Sequence, residues 1–242
     1  GDMMATKDFG TPLPDWVAPP APDATLLEGR YARLERLEER HAHALFRANA
    51  ADDAIWDYLP YGPFPSEVGY IRWVKDMAAL KDPWVYAVRD RASGQVGGVV
   101  SFLRIAPDAG SIELGHINLA PRMQRSRAAS EAMMLMINWA FDAGYRRFEW
   151  KCNALNMALR RAAQRLGLGY EGIFRQATVV KGRNRDTAWF AAIDKDWPGL
   201  KAAYEAWLSP ANFDAEGCQR ERLSDLTRLV RVASDPTLAA LE

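Results

Sequence analysis

Arginines and small residues cluster where a predicted strand gives way to a helix, in the segment SIELGHINLAPRMQRSRAASEAMML (residues 111–135). The first backbone N–H groups of a helix have no partner inside it and lie at the positive end of its macrodipole. Arg122, Arg125 and Arg127 add mobile positive charge at that point, and the small residues after them let an anion approach the backbone. This combination predicts a phosphate-binding turn. The alternative is a surface turn that Ser126 caps, with the arginines in water.

Glu113 has the best placement for acid–base chemistry. It lies in a predicted strand of apolar and small residues, close to the end of that strand. A carboxylate in a partly dry cleft could remove a proton from an amine, directly or through a water molecule. Strand alternation puts His116 on the opposite face, where we interpret it as a half-buried residue and not as a ligand. The alternative role of Glu113 is an ion pair with an arginine such as Arg104 on the neighbouring strand.

Other catalytic signatures are missing from the sequence. It has no GxSxG elbow, no GxxxxGK[ST] phosphate loop and no GxGxxG motif that follows a strand. His41 and His43 are two positions apart in a predicted helix, so they cannot share a face and bind a metal together. Cys152 and Cys218 are far apart and have no paired-ligand spacing. We therefore expect neither a metal site nor a disulfide framework.

An aromatic and proline-rich loop, IWDYLPYGPFP (residues 55–65), precedes the second predicted helix. Aromatic rings on turns that proline stiffens form a rigid apolar wall, which suits a pocket for an acceptor substrate. The candidate substrate-binding residues are Trp56, Tyr58, Tyr61 and Phe64. The alternative is that these side chains fill the junction between two helices.

The strands and helices that would hold these residues follow from changes in hydrophobic period. The segment from Trp84 to Leu119 alternates in three runs separated by ASGQ and PDAG, which predicts three antiparallel strands. The run RRFEWKCNA follows the central helix, so a parallel crossover is expected there. The other predicted elements are a strand at 31–37, helices at 38–50, 66–80 and 156–166, and a hairpin of EGIFRQATVV and TAWFAAID.

Composition restricts the class of protein. The 242-residue chain is 49% hydrophobic and 26% charged, which is ordinary for a globular protein. Its 31 basic and 31 acidic residues give no net charge, which argues against nucleic acid as the main partner. The sequence has no apolar run long enough to span a bilayer and no signal-peptide pattern at its start. We expect a cytoplasmic protein without a membrane partner.

Three segments of the chain differ in pattern. Residues 1–26 are rich in proline and predict an extended arm on the surface. Residues 27–196 contain the predicted sheet and its helices. Residues 197–242 have helical spacing of apolar residues, and this C-terminal extension would either cover the site or serve assembly, which leaves a homodimer open.

The order of these elements and three separated segments resemble the GNAT superfamily of N-acetyltransferases, and within it the branch that acetylates ribosomal-protein N-termini and related amines. APRMQRSRAASEAMML resembles the family's acyl-CoA loop and following helix, FEWKCNALNMALRRAAQRLGLGYEGIFR its next strand and helix, and KGRNRDTAWFAAIDKDWP its closing hairpin. The match covers residues 27–196. It implies an α/β fold of mixed α+β type, with a mixed, mostly antiparallel sheet of about six or seven strands flanked by helices.

The resemblance also implies a reaction: direct transfer of acetyl from acetyl-CoA, as co-substrate and without a metal, to a primary amine of a protein N-terminus or a small molecule. Glu113, or a water that it orders, would take the amine's proton. The strand before the Arg-rich turn would splay from its neighbour and pair with the pantetheine arm, and the turn would hold the pyrophosphate. The implied coenzyme contacts are Ile117, Asn118, Leu119, Gln124, Arg125, Ser126, Arg127, Ala128, Ala129, Asn156 and either Arg160 or Arg161.

Two residues depart from the family's pattern. Arg127 stands where the loop's first glycine belongs, so its N–H can serve only if φ is negative there. Leu159 stands where this branch often has a serine that protonates the leaving thiolate, and that role would pass to Tyr170, to water or to nothing. Asn156 matches an asparagine that faces the thioester in relatives. The departures at Arg127 and Leu159 favour an alternative, an acyl-CoA-binding regulatory protein with little or no turnover. The helices predicted in the C-terminal extension favour a third and weaker alternative, a self-assembling interaction module.

Overall fold

A single twisted sheet of eight strands organises the chain. The computed structural model describes residues 7–241. All neighbouring strands are antiparallel except β5 and β6, and the strand order is β1-β2-β3-β4-β5-β6-β8-β7. The predicted mixed, mostly antiparallel sheet is therefore confirmed. The strands are β1 (Leu26–Glu28), β2 (Ala32–Arg36), β3 (Trp84–Asp90), β4 (Val96–Ala106), β5 (Ser111–Leu119), β6 (Arg147–Asn153), β7 (Gly169–Val180) and β8 (Arg183–Ile193).

The strand that the sequence did not predict is β1, which lies at the end of the proline-rich arm. Its three residues are too few to show an alternating pattern. Residues 7–25 of the arm contain neither helix nor strand, and residues 1–6 lie outside the described part. The Tyr145 hydroxyl donates to the Pro20 carbonyl (2.9 Å) and the Tyr86 hydroxyl to the Ala24 carbonyl (2.8 Å). The arm is thus held against the domain by side chains of the core.

Helices cover both faces of the sheet. One apolar core lies between the sheet and α1 and α2, and a larger one lies between the sheet and the helices α3, α4 and α5. On β3, Val85 and Ala87 face the first core while Tyr86 and Val88 face the second, as strand alternation requires. The helices are α1 (Ala42–Asn49), α2 (Glu67–Ala78), α3 (Arg127–Asp142), α4 (Met157–Arg165), α5 (Trp197–Leu208), α6 (Leu223–Thr227) and α7 (Pro236–Ala240), with 3-10 turns at Glu39–His41, Asp53–Trp56 and Pro210–Asn212.

The C-terminal helices belong to the larger core. Leu200, Tyr204 and Trp207 of α5 and Leu223 of α6 are buried among the residues of α3 and the sheet. None of the helices in residues 7–241 is both long enough and apolar enough to cross a membrane.

Strand β5 is irregular, and this irregularity creates the site. Its register with β4 shifts by one residue between the pairs Val99–Asn118 and Ser101–Gly115, and His116 has a φ of 48°. Its parallel pairing with β6 covers Ser111–Leu114 only. Both strands continue beyond that point, so residues 115–119 have an open edge on the β6 side.

Candidate functional site

Two cavities meet where β5 and β6 separate. The first, of about 690 Å³, lies between the end of β5, the start of α3 and α4, and we call it the helix-side cavity. The second, of about 600 Å³, lies between β5, β6 and the β7–β8 hairpin, and we call it the hairpin-side cavity. Both volumes lie within the range typical of small-molecule sites. The residues that line both cavities, which we call the junction, are Ile55, Tyr58, Ile117, Asn156 and Leu159.

The start of α3 presents free backbone donors on residues that line a cavity next to the helix-side cavity. Ser126 is the N-cap, and its Oγ accepts the N–H of Ala129 at 3.0 Å. The cap leaves the amides of Arg127 and Ala128 without an acceptor among residues 7–241. Arg127 is the first helical residue and has a negative φ, so its backbone N–H can serve as a donor although it replaces a glycine. The local chemistry of an anion site is therefore present.

The predicted turn residues divide between two neighbouring cavities. Gln124, Arg125 and Ala129 line the helix-side cavity, and Gln124 also donates to the Leu119 carbonyl (3.1 Å). Ser126, Arg127 and Ala128 line a separate cavity of about 550 Å³. The guanidinium of Arg127 stacks on the rings of Tyr31 (3.8 Å) and Phe213 (4.4 Å). The expectation that this side chain supplies mobile charge is wrong, because two aromatic rings hold it.

Three arginines give the helix-side cavity its positive charge. Arg125, Arg161 and Arg165 line it, and the acidic residue in its wall is Asp52. Burial lowers the pKa of Arg165, and the nearby charge of Arg125 lowers it further. The two cations therefore repel each other until an anion joins them.

Arg160, one of the two arginines proposed for the coenzyme phosphate, is not available. Its Nε and Nη2 donate to both carboxylate oxygens of Asp235 at 2.8 Å, and Nη1 donates to the Ala154 carbonyl at 2.8 Å. The side chain is 4% exposed. Arg161, the other arginine, is exposed and lines the cavity, so it is the one of the two that remains a candidate to contact the coenzyme phosphate.

Glu113 lies in the hairpin-side cavity as one corner of a charge cluster. Arg104 Nη1 donates to both of its oxygens at 2.9 Å, and Lys151 Nζ lies 2.9 Å from Oε1. The glutamate side chain is 4% exposed and that of Lys151 is 10% exposed. The alternative that paired Glu113 with Arg104 is what the structure shows. These contacts from two cations take three of the roughly four lone-pair sites of the carboxylate, so most of its accepting capacity is already engaged.

His116 lines the same cavity as Glu113, so the prediction that it lies on the opposite face is wrong. The bulge in β5 adds one residue to the strand, which breaks the alternation at this position. His116 Nδ1 lies 2.8 Å from the Tyr61 hydroxyl, and the two rings are stacked. Burial lowers the pKa of His116, and the charge of Arg104 lowers it further, whereas Asp82 opposes this shift. The imidazole is therefore neutral at neutral pH and able to accept a proton.

The four aromatic residues predicted to bind substrate separate into three roles. Tyr58 lines both cavities, and its hydroxyl donates to the Leu155 carbonyl (3.3 Å). Tyr61 supports the site through His116. Trp56 and Phe64 line neither cavity and pack against each other and α2 in the smaller core, at 5.2 Å between ring centroids. For these two, the alternative of filling a junction between helices is correct.

The junction contains Asn156 and Leu159 but not Tyr170. Asn156 is the N-cap of α4, and its Oδ1 accepts the Leu159 N–H at 3.2 Å. Tyr170 lines neither cavity, and its ring packs edge-on against Phe190. The predicted role of Tyr170 as a proton donor is therefore not supported by its position. Asn118 is buried on β5, and its backbone lies on the open edge.

Three cationic residues that line the two cavities were not predicted from the sequence as site residues. Arg165 ends α4, Lys151 lies on β6 and Arg185 lies on β8. For Lys151 a signal existed, because β6 alternates and its polar face carries Glu149 and Lys151 next to the strand of Glu113. Arg185 gave no such signal, because nothing local indicates which side of a hairpin meets a cavity.

Comparisons with known proteins agree on one family. A model of the acetyltransferase (GNAT) domain matches residues 32–169. A GCN5-related N-acetyltransferase from Brucella melitensis is similar at 44% identity with a TM-score of 0.87, over 89% of this chain and 100% of that one. A probable GNAT-family acetyltransferase from Chromobacterium violaceum has 39% identity and a TM-score of 0.75, over 81% and 100% of the two chains.

A more distant likeness shows the fold alone. An acetyltransferase from Salmonella typhimurium that modifies the N-terminal serine of ribosomal protein L7/L12 has 22% identity and a TM-score of 0.62, over 69% of this chain and 98% of that one. No curated protein matches the chain.

Proposed function

Because the chain belongs to the GNAT acetyltransferase family, we propose that it transfers acetyl from acetyl-CoA to a primary amine in one direct step. The observation that carries this proposal is the meeting of two cavities at Asn156 and Leu159. One cavity is positively charged and ends at a helix start, and the other holds a neutral imidazole. A coenzyme in the first and an amine in the second would meet at the junction.

The helix-side cavity suits acetyl-CoA by its donor set. The open edge of residues 115–119 offers backbone groups to the amides of the pantetheine arm. The side chain of Arg125 suits the pyrophosphate, together with the free amides of Arg127 and Ala128, which border the neighbouring cavity, and Arg161 and Arg165 suit a further phosphate. When bound, the coenzyme supplies the activated acetyl group as a thioester.

In this proposal His116, not Glu113, accepts the proton of the attacking amine. For Nε2 to accept it, Nδ1 must carry a hydrogen and donate it to the Tyr61 oxygen, which the 2.8 Å contact permits. Burial raises the pKa of Tyr61, so its hydroxyl stays neutral and orients the ring. Glu113 holds Arg104 and Lys151 in place instead.

The leaving thiolate takes its proton from water. Leu159 has no proton to give, and the hydrogen of the Tyr58 hydroxyl is donated to the Leu155 carbonyl. Burial raises the pKa of the Cys152 thiol, which lines the hairpin-side cavity, to about 12. Cys152 is thus protonated and a poor nucleophile, which favours direct transfer over an acyl-cysteine intermediate.

The test of this function is thiol release from acetyl-CoA with a panel of amines, run beside calorimetry of coenzyme binding. We expect binding of acetyl-CoA and amine-dependent release with at least one class, among N-terminal serine and alanine peptides, amino acids and polyamines. Binding without release across the panel would point to the regulatory alternative. Absence of both would contradict the proposal.

Replacing Arg165 with methionine tests the assignment of the phosphate end. Loss of one charge-assisted contact to a phosphate should raise the Kd of acetyl-CoA about 10-fold. S-acetylpantetheine, which lacks the phosphates, should bind the variant and the unchanged protein equally. The exposed Arg228, which pairs with Asp225, provides the matched control Arg228→Met. Calorimetry measures both ligands, and an equal loss for the two would show that Arg165 does not contact a phosphate.

A further inference from the structure

The hairpin-side cavity contains one arginine, Arg185, that forms no ion pair within residues 7–241. Its lining includes Arg104, Lys151, Arg185 and Glu113. Glu113 pairs with Arg104 and Lys151, and Glu149 lies 3.7 Å from Lys151. Arg185 forms no salt bridge within residues 7–241, and its Nε donates only to the Thr187 hydroxyl at 3.2 Å. The guanidinium keeps its other donors free.

The acid nearest to Arg185 in sequence is engaged elsewhere. Asp186 Oδ1 accepts the Gln176 N–H at 2.7 Å and the Asn184 side-chain amide at 3.0 Å, within the hairpin. Burial lowers the pKa of Arg185, the negative charge of Glu113 partly opposes this shift, and the charge of Arg104 adds a smaller contribution to it. An unpaired, half-buried cation of this kind is costly, and an anionic group of a ligand would relieve the cost.

A second donor in the same wall lacks a partner. The indole Nε1 of Trp189, two strand positions beyond Thr187, is buried and has no acceptor in the part of the chain that the structure describes. The Trp189 ring packs against Phe174 (4.3 Å) and lies under Lys151 Nζ (3.9 Å). Buried polar groups without a partner are rare in proteins, and a bound ligand is one explanation of such a group.

We propose that the acceptor amine also carries a carboxylate, which binds Arg185 and the indole N–H of Trp189. The planar guanidinium matches a carboxylate with two parallel hydrogen bonds, whereas a simple alkylamine or a polyamine would add positive charge to a cavity that already has an excess of it. The inference rests on the proposed function, because it treats the hairpin-side cavity as the acceptor site. It names the substrate class as amino acids, or peptides with an acidic residue next to their N-terminus.

Matched pairs of acceptors test the inference and distinguish the two sources of the carboxylate. The first pair is alanine and alaninamide, and the second is the C-terminally amidated peptides Ser-Asp-Ala and Ser-Asn-Ala. For at least one pair, kcat/KM of the acid should exceed that of the amide by about 10- to 100-fold, the range expected for a charged hydrogen bond. A preference for alanine over alaninamide assigns the carboxylate to a free amino acid, and a preference for the Asp peptide over the Asn peptide assigns it to an acidic side chain next to a peptide N-terminus.

The variant Arg185→Gln should reduce the acid-to-amide ratio to near one. Arg175→Gln is the matched control, because Arg175 is exposed on β7 of the same hairpin and does not line the cavity, and it should keep the ratio. Amides that serve as well as their acids in both pairs, or a ratio that survives in Arg185→Gln, would overturn the inference and leave the acetyltransferase activity standing.

Binding of the N-acetylated products separates this inference from the proposed function. Calorimetry with N-acetylalanine, N-acetylalaninamide and the two acetylated peptides needs no turnover. If one of the acids binds to the unchanged protein and not to Arg185→Gln while no amine causes thiol release, that result would support the carboxylate site and contradict the enzymatic function. If neither acid binds, the carboxylate site is refuted.

Discussion

Replacing His116 with asparagine is expected to lower kcat by about 10²- to 10⁴-fold, which is the usual contribution of a positioned general base. Asparagine tolerates the left-handed backbone of residue 116, where φ is 48°, so the bulge in β5 should persist. The KM for acetyl-CoA should change little, because His116 lines only the hairpin-side cavity. Stopped assays of thiol release at saturating amine measure the effect, with the melting temperature as the check on folding.

The pH profile of kcat is a more specific test of His116 as the general base. The active form of His116 is the neutral imidazole, which is populated above its pKa. Because burial and Arg104 lower that pKa, kcat should be constant near neutral pH and fall only below pH 6.5, the ordinary value for histidine. The variant His116→Asn should lose this acid limb.

Two further variants serve as controls for His116. Tyr61→Phe removes only the hydroxyl that orients the ring, so it should reduce kcat less than His116→Asn and keep the acid limb. Glu113→Gln should preserve an acid limb if Glu113 only holds the cations in place. An unchanged acid limb in His116→Asn, or its disappearance in Glu113→Gln alone, would return the base to Glu113.

Replacing Asp235 with alanine is expected to lower the free energy of unfolding by about 3–5 kcal/mol, since it leaves a buried guanidinium without its partner. Arg160 and Asp235 are joined by two bonds of 2.8 Å, with side chains 4% and 0% exposed. Asp235 also caps α7, because its Oδ1 accepts the Thr237 N–H at 2.9 Å. Urea unfolding at pH 7 measures the loss.

Two comparisons show whether burial causes the loss. Asp225→Ala removes an exposed carboxylate that pairs with Arg222 and Arg228, and it should cost less than about 1 kcal/mol. The double variant Arg160→Met with Asp235→Leu removes both buried charges and should recover much of the stability lost in Asp235→Ala. Equal losses in Asp225→Ala and Asp235→Ala would show that burial of the Arg160–Asp235 pair does not cause the loss of stability.

The Arg160–Asp235 pair also connects the C-terminal extension to the site. Arg160 Nη1 donates to the Ala154 carbonyl, two residues before Asn156, so the pair helps to fix the loop that carries Asn156 to the junction. The extension therefore contributes to the shape of the site. Whether it also mediates assembly remains a prediction.

Features set by neighbours in sequence could be predicted, and features set by distant contacts could not. The Ser126 cap, the start of α3 and the parallel crossover to β6 follow from local patterns, and all are present. The positions of Arg127 and Arg160 depend on Phe213 and Asp235, which lie in the extension, and no local pattern indicates those contacts. Each arginine looked free because its partner is remote in sequence.

The bulge of β5 illustrates a second limit. A one-residue register shift leaves the hydrophobic pattern almost unchanged, yet it reverses the face of every residue after it. Strict alternation therefore placed His116 away from Glu113 and hid the residue that we propose as the proton acceptor. The residue with positive φ is a histidine, one of the residue types that tolerate this conformation, so no glycine marks the position of the bulge in the sequence.

A crystal structure of the protein with acetyl-CoA would show directly whether the coenzyme binds at the open edge of β5. We expect the pantetheine arm along residues 115–119 of β5, the pyrophosphate at the start of α3 beside Arg125, and the thioester at Asn156 and Leu159, facing His116. A coenzyme bound in another place, or strands β5 and β6 paired along their whole length with the helix-side cavity empty, would contradict this expectation.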